Sequence, residues 1–343
     1  MRQILITHAG EPDVLRVVEG PLPEPGPGEV RVKVAAAGVN FADIMGRLGI
    51  YPDAPPIPYV PGYEVAGTID AAGLEVDPAC VGQDVVALLR FGGYSEYVCV
   101  PQAQTFPRPA NLSMEQAAGF ALAYLTAYGA LVALAGIKPG EHVLIHSAAG
   151  GVGLAAIDIC RRYDATIYGV ASAGKHELLR ARGVQHPIDR EQDFEREVKR
   201  LTQGRGVQIV MDSMGGWSWR KSYAALSAGG RLVICGVSNM APGKRRSLWA
   251  LVKMGVSIPW LRFNPVALAN ENKGVLGLNL GRLWDEIPLL RAWADDLLAW
   301  QAGGDLDVHV DRVFTFDEAA EAHRYIQERR SVGKVILVPE RAE

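Results

Sequence analysis

Ser147-Ala148-Ala149-Gly150-Gly151-Val152-Gly153 follows the apolar run Val143-Leu144-Ile145 and opens the stretch Leu154-Ala155-Ala156-Ile157-Asp158-Ile159. Strand, glycine turn and helix in that order make the unit that holds a dinucleotide pyrophosphate. Glycine lets the backbone turn tightly and approach the phosphates, whose charge meets the unpaired amides and the positive dipole end of the helix. A glycine motif alone would equally describe a structural turn. The second apolar run, Thr166-Ile167-Tyr168-Gly169-Val170, arrives at the spacing of a βαβ unit and favours the nucleotide reading.

The end of that second run bears on which dinucleotide is used. NAD enzymes carry an Asp or Glu there to accept hydrogen bonds from the ribose hydroxyls. This chain reads Ala171-Ser172-Ala173-Gly174-Lys175, with Arg180, Arg182 and Arg190 following. A hydroxyl and cations stand where a carboxylate would repel a 2′-phosphate, so NADPH is expected over NADH. Ser172 and Lys175 are the candidates, whereas Arg180 and Arg182 read as solvated charges on a surface helix.

Working outward, 343 residues with 49% apolar content suit a two-domain globular enzyme. A net charge of -3 leaves no broad basic surface for a nucleic-acid backbone. No apolar run is long enough for a signal peptide or a bilayer span, so a cytoplasmic protein with no integral membrane segment is expected. Cys80, Cys99, Cys160 and Cys235 are scattered, as reduced thiols are.

The first hundred residues hold short β-like runs, Val30 to Val34, Val65 to Ile69 and Tyr94 to Val98, separated by Gly- and Pro-rich turns. They predict a compact, barrel-like β domain. The segment Pro21-Leu22-Pro23-Glu24-Pro25-Gly26-Pro27-Gly28 is too poor in amide donors for strand or helix. From about residue 113 the pattern becomes βα alternation, continuing through Val207 to Met211 and Arg231 to Cys235, as in a doubly wound parallel sheet. The tail predicts one long helix, Ile287 to Gln301, and a last strand, Val335 to Val338, that returns to the first domain.

Taken together, Ala37-Gly38-Val39-Asn40-Phe41-Ala42-Asp43, Pro61-Gly62-Tyr63-Glu64-Val65-Ala66-Gly67, Leu125-Thr126-Ala127-Tyr128 and the turn Ala148 to Gly153 resemble the medium-chain dehydrogenase/reductases, in their zinc-independent quinone oxidoreductase branch. His186-Pro187-Ile188-Asp189, Met211-Asp212-Ser213-Met214-Gly215-Gly216 and Val332-Gly333-Lys334-Val335 are similar to the subgroup named for synaptic vesicle membrane protein homologues. The resemblance implies an α/β fold. It divides into a GroES-like, β-rich catalytic domain over residues 1–115, a Rossmann cofactor domain over 116–267 and a return to the catalytic domain over 268–343.

Zinc relatives of this fold bind catalytic metal through a Cys and a His, at positions that hold Asn40 and Tyr63 here. No metal is expected. Hydride addition to a conjugated, electron-poor carbon needs positioning and a donor for the developing oxyanion, so reduction of an activated double bond is the expected reaction. The resemblance also implies that Asn40 and Tyr51 stand beside the nicotinamide, with Tyr51 the candidate acid. Aromatic packing of a loop is the competing reading of Tyr51. For the cofactor it implies Thr126 near the phosphates or nicotinamide, and Ser147, Ala149, Gly150, Gly151 and Val152 on the pyrophosphate. Ser172, Lys175 and Arg190 fall at the 2′-phosphate, and Gly236, Val237, Leu278, Asn279 and Lys334 are late contacts.

Between Met240 and Asn270, Lys244-Arg245-Arg246 precedes Trp249, Leu251, Val252, Met254, Trp260, Leu261 and Phe263. A homodimer interface is the expectation for so apolar a segment. The alternative is a lid over an acyl chain, with the basic triplet on the phosphates of a coenzyme A thioester. A non-enzymatic alternative, a membrane-peripheral or partner-binding protein that keeps the fold as scaffold, is opposed by the retained Asn40 and Tyr51.

Overall fold

Strand β1 (Arg2–Ile6) pairs antiparallel with β2 (Leu15–Glu19), and the proline-rich segment that follows forms neither helix nor strand. Strand β3 (Glu29–Val39) then turns Val30, Val32 and Val34 to one buried face, the period-2 pattern of a half-covered strand. It is followed by β4 (Glu64–Ala72), β5 (Asp84–Leu88), β6 (Tyr97–Pro101) and β7 (Thr105–Pro107). The strand expected from Tyr94 starts three residues later. The Tyr94 amide donates instead to Pro61 O at 2.9 Å, and Ser95 makes only an isolated bridge to Gln3.

The second set of strands is β8 (His142–Ile145), β9 (Thr166–Ala171), β10 (His186–Asp189), β11 (Val207–Asp212), β12 (Leu226–Ile234) and β13 (Gly274–Gly277). All pair in parallel, in the order β10-β9-β8-β11-β12-β13. The helices Gly151–Arg162, His176–Ala181, Phe194–Leu201 and Ser218–Ala224 each follow a strand. Val143, Leu144 and Ile145 are buried on both faces, which is why β8 reads as a continuous apolar run. The strand order reverses between β8 and β11, and ligands of doubly wound sheets bind outside the carboxyl ends at that reversal.

The chain ends with β14 (Val310–Thr315) and β15 (Lys334–Val338), and β15 lies antiparallel to β3 as the sequence predicts for a returning strand. Their sheet runs β14-β15-β3-β4-β5-β7, with β6 also on β3. Its core gathers Val30, Val32, Val65, Val85, Val100 and Leu337. The expected long helix spans Ile287–Ala302.

The computed structural model describes residues 1–238 and 264–340. They form two compact units, one of residues 1–123, 281–304 and 308 onward, the other of 124–280 and 305–307. Most of the apolar segment read as dimer interface or lid lies outside the described residues.

Candidate functional site

In the parallel-sheet unit, the glycine turn leaves β8 at the strand-order reversal. Ser147 takes a left-handed φ of 51°, is exposed, and donates through Oγ to Met214 Sδ at 3.1 Å. Ala149 is buried, and Gly150 caps the helix Gly151–Arg162 without any side-chain hydrogen bond. The first amides of that helix, Gly151 and Val152 among them, therefore lack acceptors of their own, which is what an anion requires. Gly153 is fixed by close approach: a Cβ there would lie 2.4 Å from Ser147 O and 2.6 Å from Ala148 O.

Ser172 and Lys175 begin and end the short turn after β9, joined by Lys175 N to Ser172 O at 2.9 Å. The Arg190 amide donates to Ala171 O at 2.9 Å, which brings the end of β10 beside that turn, while its exposed guanidinium bonds Glu191 at 2.9 Å. Gly236 and Val237 follow β12, and Leu278 N donates to Ile234 O at 2.9 Å, so Leu278 and Asn279 follow β13 beside them. These candidates share the carboxyl edge of one sheet. Thr126 is half-buried on the helix Ala121–Tyr128. The donor set and the uncapped turn fit a dinucleotide.

Beneath this edge lies a polar network that sequence reasoning missed. Ser222 Oγ donates to Asp212 Oδ2 at 2.7 Å, so His146 Nε2, 3.0 Å from the same Oγ, must carry the hydrogen and donate to it. Burial pushes His146 down from its ordinary pKa and keeps it neutral. Asp212 Oδ1 accepts from Met214 N at 2.8 Å and Ser218 Oγ at 3.0 Å, holding the loop after β11. Although it gathers Ser, His and Asp, this is no nucleophile triad: the serine proton is given to the aspartate, and all three side chains are buried. A polar residue directly before the glycine turn was the available signal.

In the other unit, Asp43 organises the approach to β4. Its carboxylate accepts from Gly62 N at 2.9 Å, Asn40 N at 2.8 Å and Tyr94 Oη at 3.1 Å. Burial pushes this carboxyl up to about 7 against the pull of those bonds. Gly62 has φ +106°, and a Cβ there would come within 2.7 Å of the Tyr94 amide nitrogen, so only glycine delivers Tyr63 and Glu64 to their places.

Glu64 is buried completely, and Lys334 Nζ reaches its Oε1 at 2.7 Å. The same ammonium donates to Asn40 Oδ1 at 2.7 Å and to Val39 O at 3.3 Å. Asn40 Nδ2 donates to Glu64 Oε1 at 3.0 Å and to Gly38 O at 3.3 Å. The ammonium can only donate and the carboxylate can only accept, which settles the orientation of the amide between them. Lys334 thus uses its three donors inside this cluster, and both amide hydrogens of Asn40 point inward.

Tyr51 is half-buried, its ring edge-on to Tyr63 at 6.0 Å between centroids and 81° between planes. Burial, then the charge of Asp53, raises its pKa. Asp53 pairs with Arg282 at 2.8 Å and anchors the Tyr51 loop.

Residues 26–110 match the alcohol dehydrogenase GroES-like domain, and residues 182–337 the zinc-binding dehydrogenase family. The chain is 40% identical to the synaptic vesicle membrane protein VAT-1 homolog of Rattus norvegicus, across 99% of this chain and 84% of that protein. The chain belongs to the medium-chain dehydrogenase/reductases. Within this oxidoreductase family it falls in the zinc-independent VAT-1-like group. Two solved members resemble it across nearly their whole length. The mycobacterial protein Rv1454c complexed with NADPH aligns at TM-score 0.86 and 30% identity, covering 99% of this chain and 100% of that one. The CurK enoyl reductase aligns at TM-score 0.83 and 30% identity over 98% of each chain.

Where zinc-dependent members of the medium-chain family hold metal, the residues here do not fit it. The Asn40 oxygen already faces an ammonium, and burial keeps the Tyr63 phenol protonated far above its ordinary range. Among the described residues no group of three His, Cys, Asp or Glu side chains could hold an ion. No described helix is long and apolar enough to cross a membrane.

Replacing Lys334 by Met should leave the Glu64 carboxylate buried without its counter-charge and cost about 3–5 kcal/mol in urea denaturation. The double variant Glu64→Gln/Lys334→Met should recover much of that loss. A single-variant loss below about 1 kcal/mol, the range of exposed pairs, would contradict the buried cluster.

Proposed function

We propose that the chain is an NADPH-dependent reductase of carbon–carbon double bonds conjugated to a carbonyl, acting on enones or enoyl thioesters such as enoyl-CoA, and on quinones. The observation that carries the cofactor choice is the end of β9, where Ser172 and Lys175 follow the strand and no carboxylate stands to repel a 2′-phosphate. The likeness to a protein solved with NADPH and to an enoyl reductase supports the same reading.

When bound, the reduced nicotinamide supplies hydride. The chain's own residues do the rest. Gly151 and Val152 offer their amides to the pyrophosphate, and Ser172, Lys175 and Arg190 offer a hydroxyl and two cations to the 2′-phosphate. The β carbon of an enone is electrophilic without a metal, so the protein needs only to hold the substrate and stabilise the enolate. Tyr51, kept protonated by its burial and by Asp53, is the proton donor. Asn40, with its hydrogens engaged inward, fixes the Lys334 ammonium beneath.

Lys175→Ala should weaken NADPH binding by roughly 1.5–3 kcal/mol, the worth of a charged hydrogen bond, and leave NADH nearly unaffected. Equal losses for both cofactors, measured by titration, would remove Lys175 from the 2′-phosphate. Tyr51→Phe should lower enone or enoyl-thioester turnover by about 10²-fold while changing NADPH affinity little. Quinones should be less sensitive, because their reduced oxygens take protons from water. Wild-type turnover on every substrate would leave Tyr51 with a packing role only.

A further inference from the structure

We propose that His323 is a positioning residue for the reductase site: its Nε2–H donates to the Tyr94 hydroxyl and so commits the Tyr94 hydrogen to Asp43, the carboxylate that fixes the turn before β4. The effect on turnover rests on the enone reading above, whereas the direction of the hydrogen bonds does not.

His323, Tyr94, Asp43 and Arg47 are all buried. His323 stands on the helix Ala319–Gln327, its ring edge-on to Tyr94 at 5.9 Å and 86°, with Nε2 3.4 Å from the Tyr94 oxygen. That oxygen lies 3.1 Å from Asp43 Oδ2. A phenol has one hydrogen to give. Once ionised, the carboxylate can only accept, so the hydrogen goes to Asp43 and the imidazole must meet the Tyr94 lone pair with Nε2–H. Nδ1 is then left bare, and it is buried without a hydrogen-bond partner. Arg47 selects the same tautomer from the other side. Its Nη1 donates to Gly10 O at 3.0 Å, and its Nη2 to Gln327 Oε1 at 2.6 Å, one turn beyond His323 on the same helix face. A lone pair is favourable beside this cation, and an N–H or an imidazolium is not. Burial, with the Arg47 charge added, pushes His323 down to about 3 and keeps it neutral.

A buried imidazole with an unpartnered nitrogen is costly, and phenylalanine would fill the space without that cost. What the imidazole adds is a donor behind Tyr94. Through Tyr94 that donor acts on Asp43, whose oxygens also take the Gly62 amide at 2.9 Å and the Asn40 amide at 2.8 Å. Gly62 leads directly into Tyr63 and Glu64, and Tyr63 packs edge-on against Tyr51. Hydrogen bonds in a chain polarise one another, so Nε2–H strengthens the bond from Tyr94 and favours the ionised carboxylate. Burial opposes this and pushes Asp43 up to about 7. Other charges act on the chain: Lys334 lowers Asp43, Glu64 raises Tyr94, and Glu11, Asp13 and Arg324 surround Arg47. The neighbouring phenols of Tyr51, Tyr59 and Tyr63 are all raised and stay protonated. Without the His323 donor, Asp43 loses its charge, and with it part of its grip on the two amides, at a higher pH.

His323→Phe keeps the edge-on packing and removes the donor, while His323→Gln can place an amide nitrogen where Nε2 stands. The first should move the acidic limb of enone kcat/KM up by about one pH unit, the worth of one hydrogen bond. Turnover then falls about fivefold near neutral pH and recovers about two units higher. His323→Gln should restore the wild-type limb, and NADPH affinity should hold in both variants. A wild-type limb in His323→Phe, or a loss equal at every pH, would overturn the inference, since a space-filling residue gives one or the other. Nitrogen-15 NMR of histidine-labelled wild-type protein reads the tautomer directly. Nε2–H with a bare Nδ1 is expected, and Nδ1–H would overturn the inference even if neither variant folds. A wild-type protein that reduces no enone would remove the reductase reading alone. The carbon-13 titration of the Asp43 carboxyl then decides: it should rise in His323→Phe, and an unmoved titration would overturn the role of His323.

Discussion

A carboxylate shut away from water needs its charge answered inside the protein, and the β-rich unit is arranged around one such group. Glu64 begins β4, takes Lys334 from the start of β15 at 2.7 Å and the Leu122 amide at 2.9 Å, and receives one hydrogen of Asn40. Three distant parts of the chain converge on two oxygens. Removing water makes each bond stronger and each missing partner more costly, so the cluster admits little variation in geometry. Asn40 inherits its orientation from this cluster, its oxygen held by the Lys334 ammonium at 2.7 Å.

The parallel-sheet unit also buries a carboxylate and answers it with hydrogen-bond donors. His146, Ser222 and Asp212 satisfy one another beneath the carboxyl edge, and Asp212 also holds the loop after β11. The loop after β11 is thus tied down beneath the carboxyl edge, while the helix Gly151–Arg162 begins without a side-chain cap. For the dinucleotide proposed at this edge, the unsatisfied amides are the binding capacity and the bonds satisfied below give it precision.

Local patterns made much of this legible. The glycine turn, the run of βα units, the long helix ending at Ala302 and the returning strand β15 follow from periodicity and turn chemistry over a few residues. Pairings across long separations were not legible. Lys334 and Glu64 lie 270 residues apart, and nothing at Gly333-Lys334 distinguishes a cofactor contact from a buried ion pair. The Tyr94 segment fails for a related reason: its alternation suits a strand, but Pro61 and Asp43 claim its polar groups.

Reduction of a conjugated double bond by hydride from NADPH is the claim on which the functional account stands, and the fate of the transferred hydrogen tests it most directly. With NADPH deuterated at the transferable C4 position and an enone or enoyl-thioester substrate, the saturated product should carry the deuterium at its β carbon, read by NMR or mass spectrometry, with a solvent-derived proton at the α carbon. Deuterium at the carbonyl carbon of an allylic alcohol, or no transfer to any conjugated substrate, would contradict it.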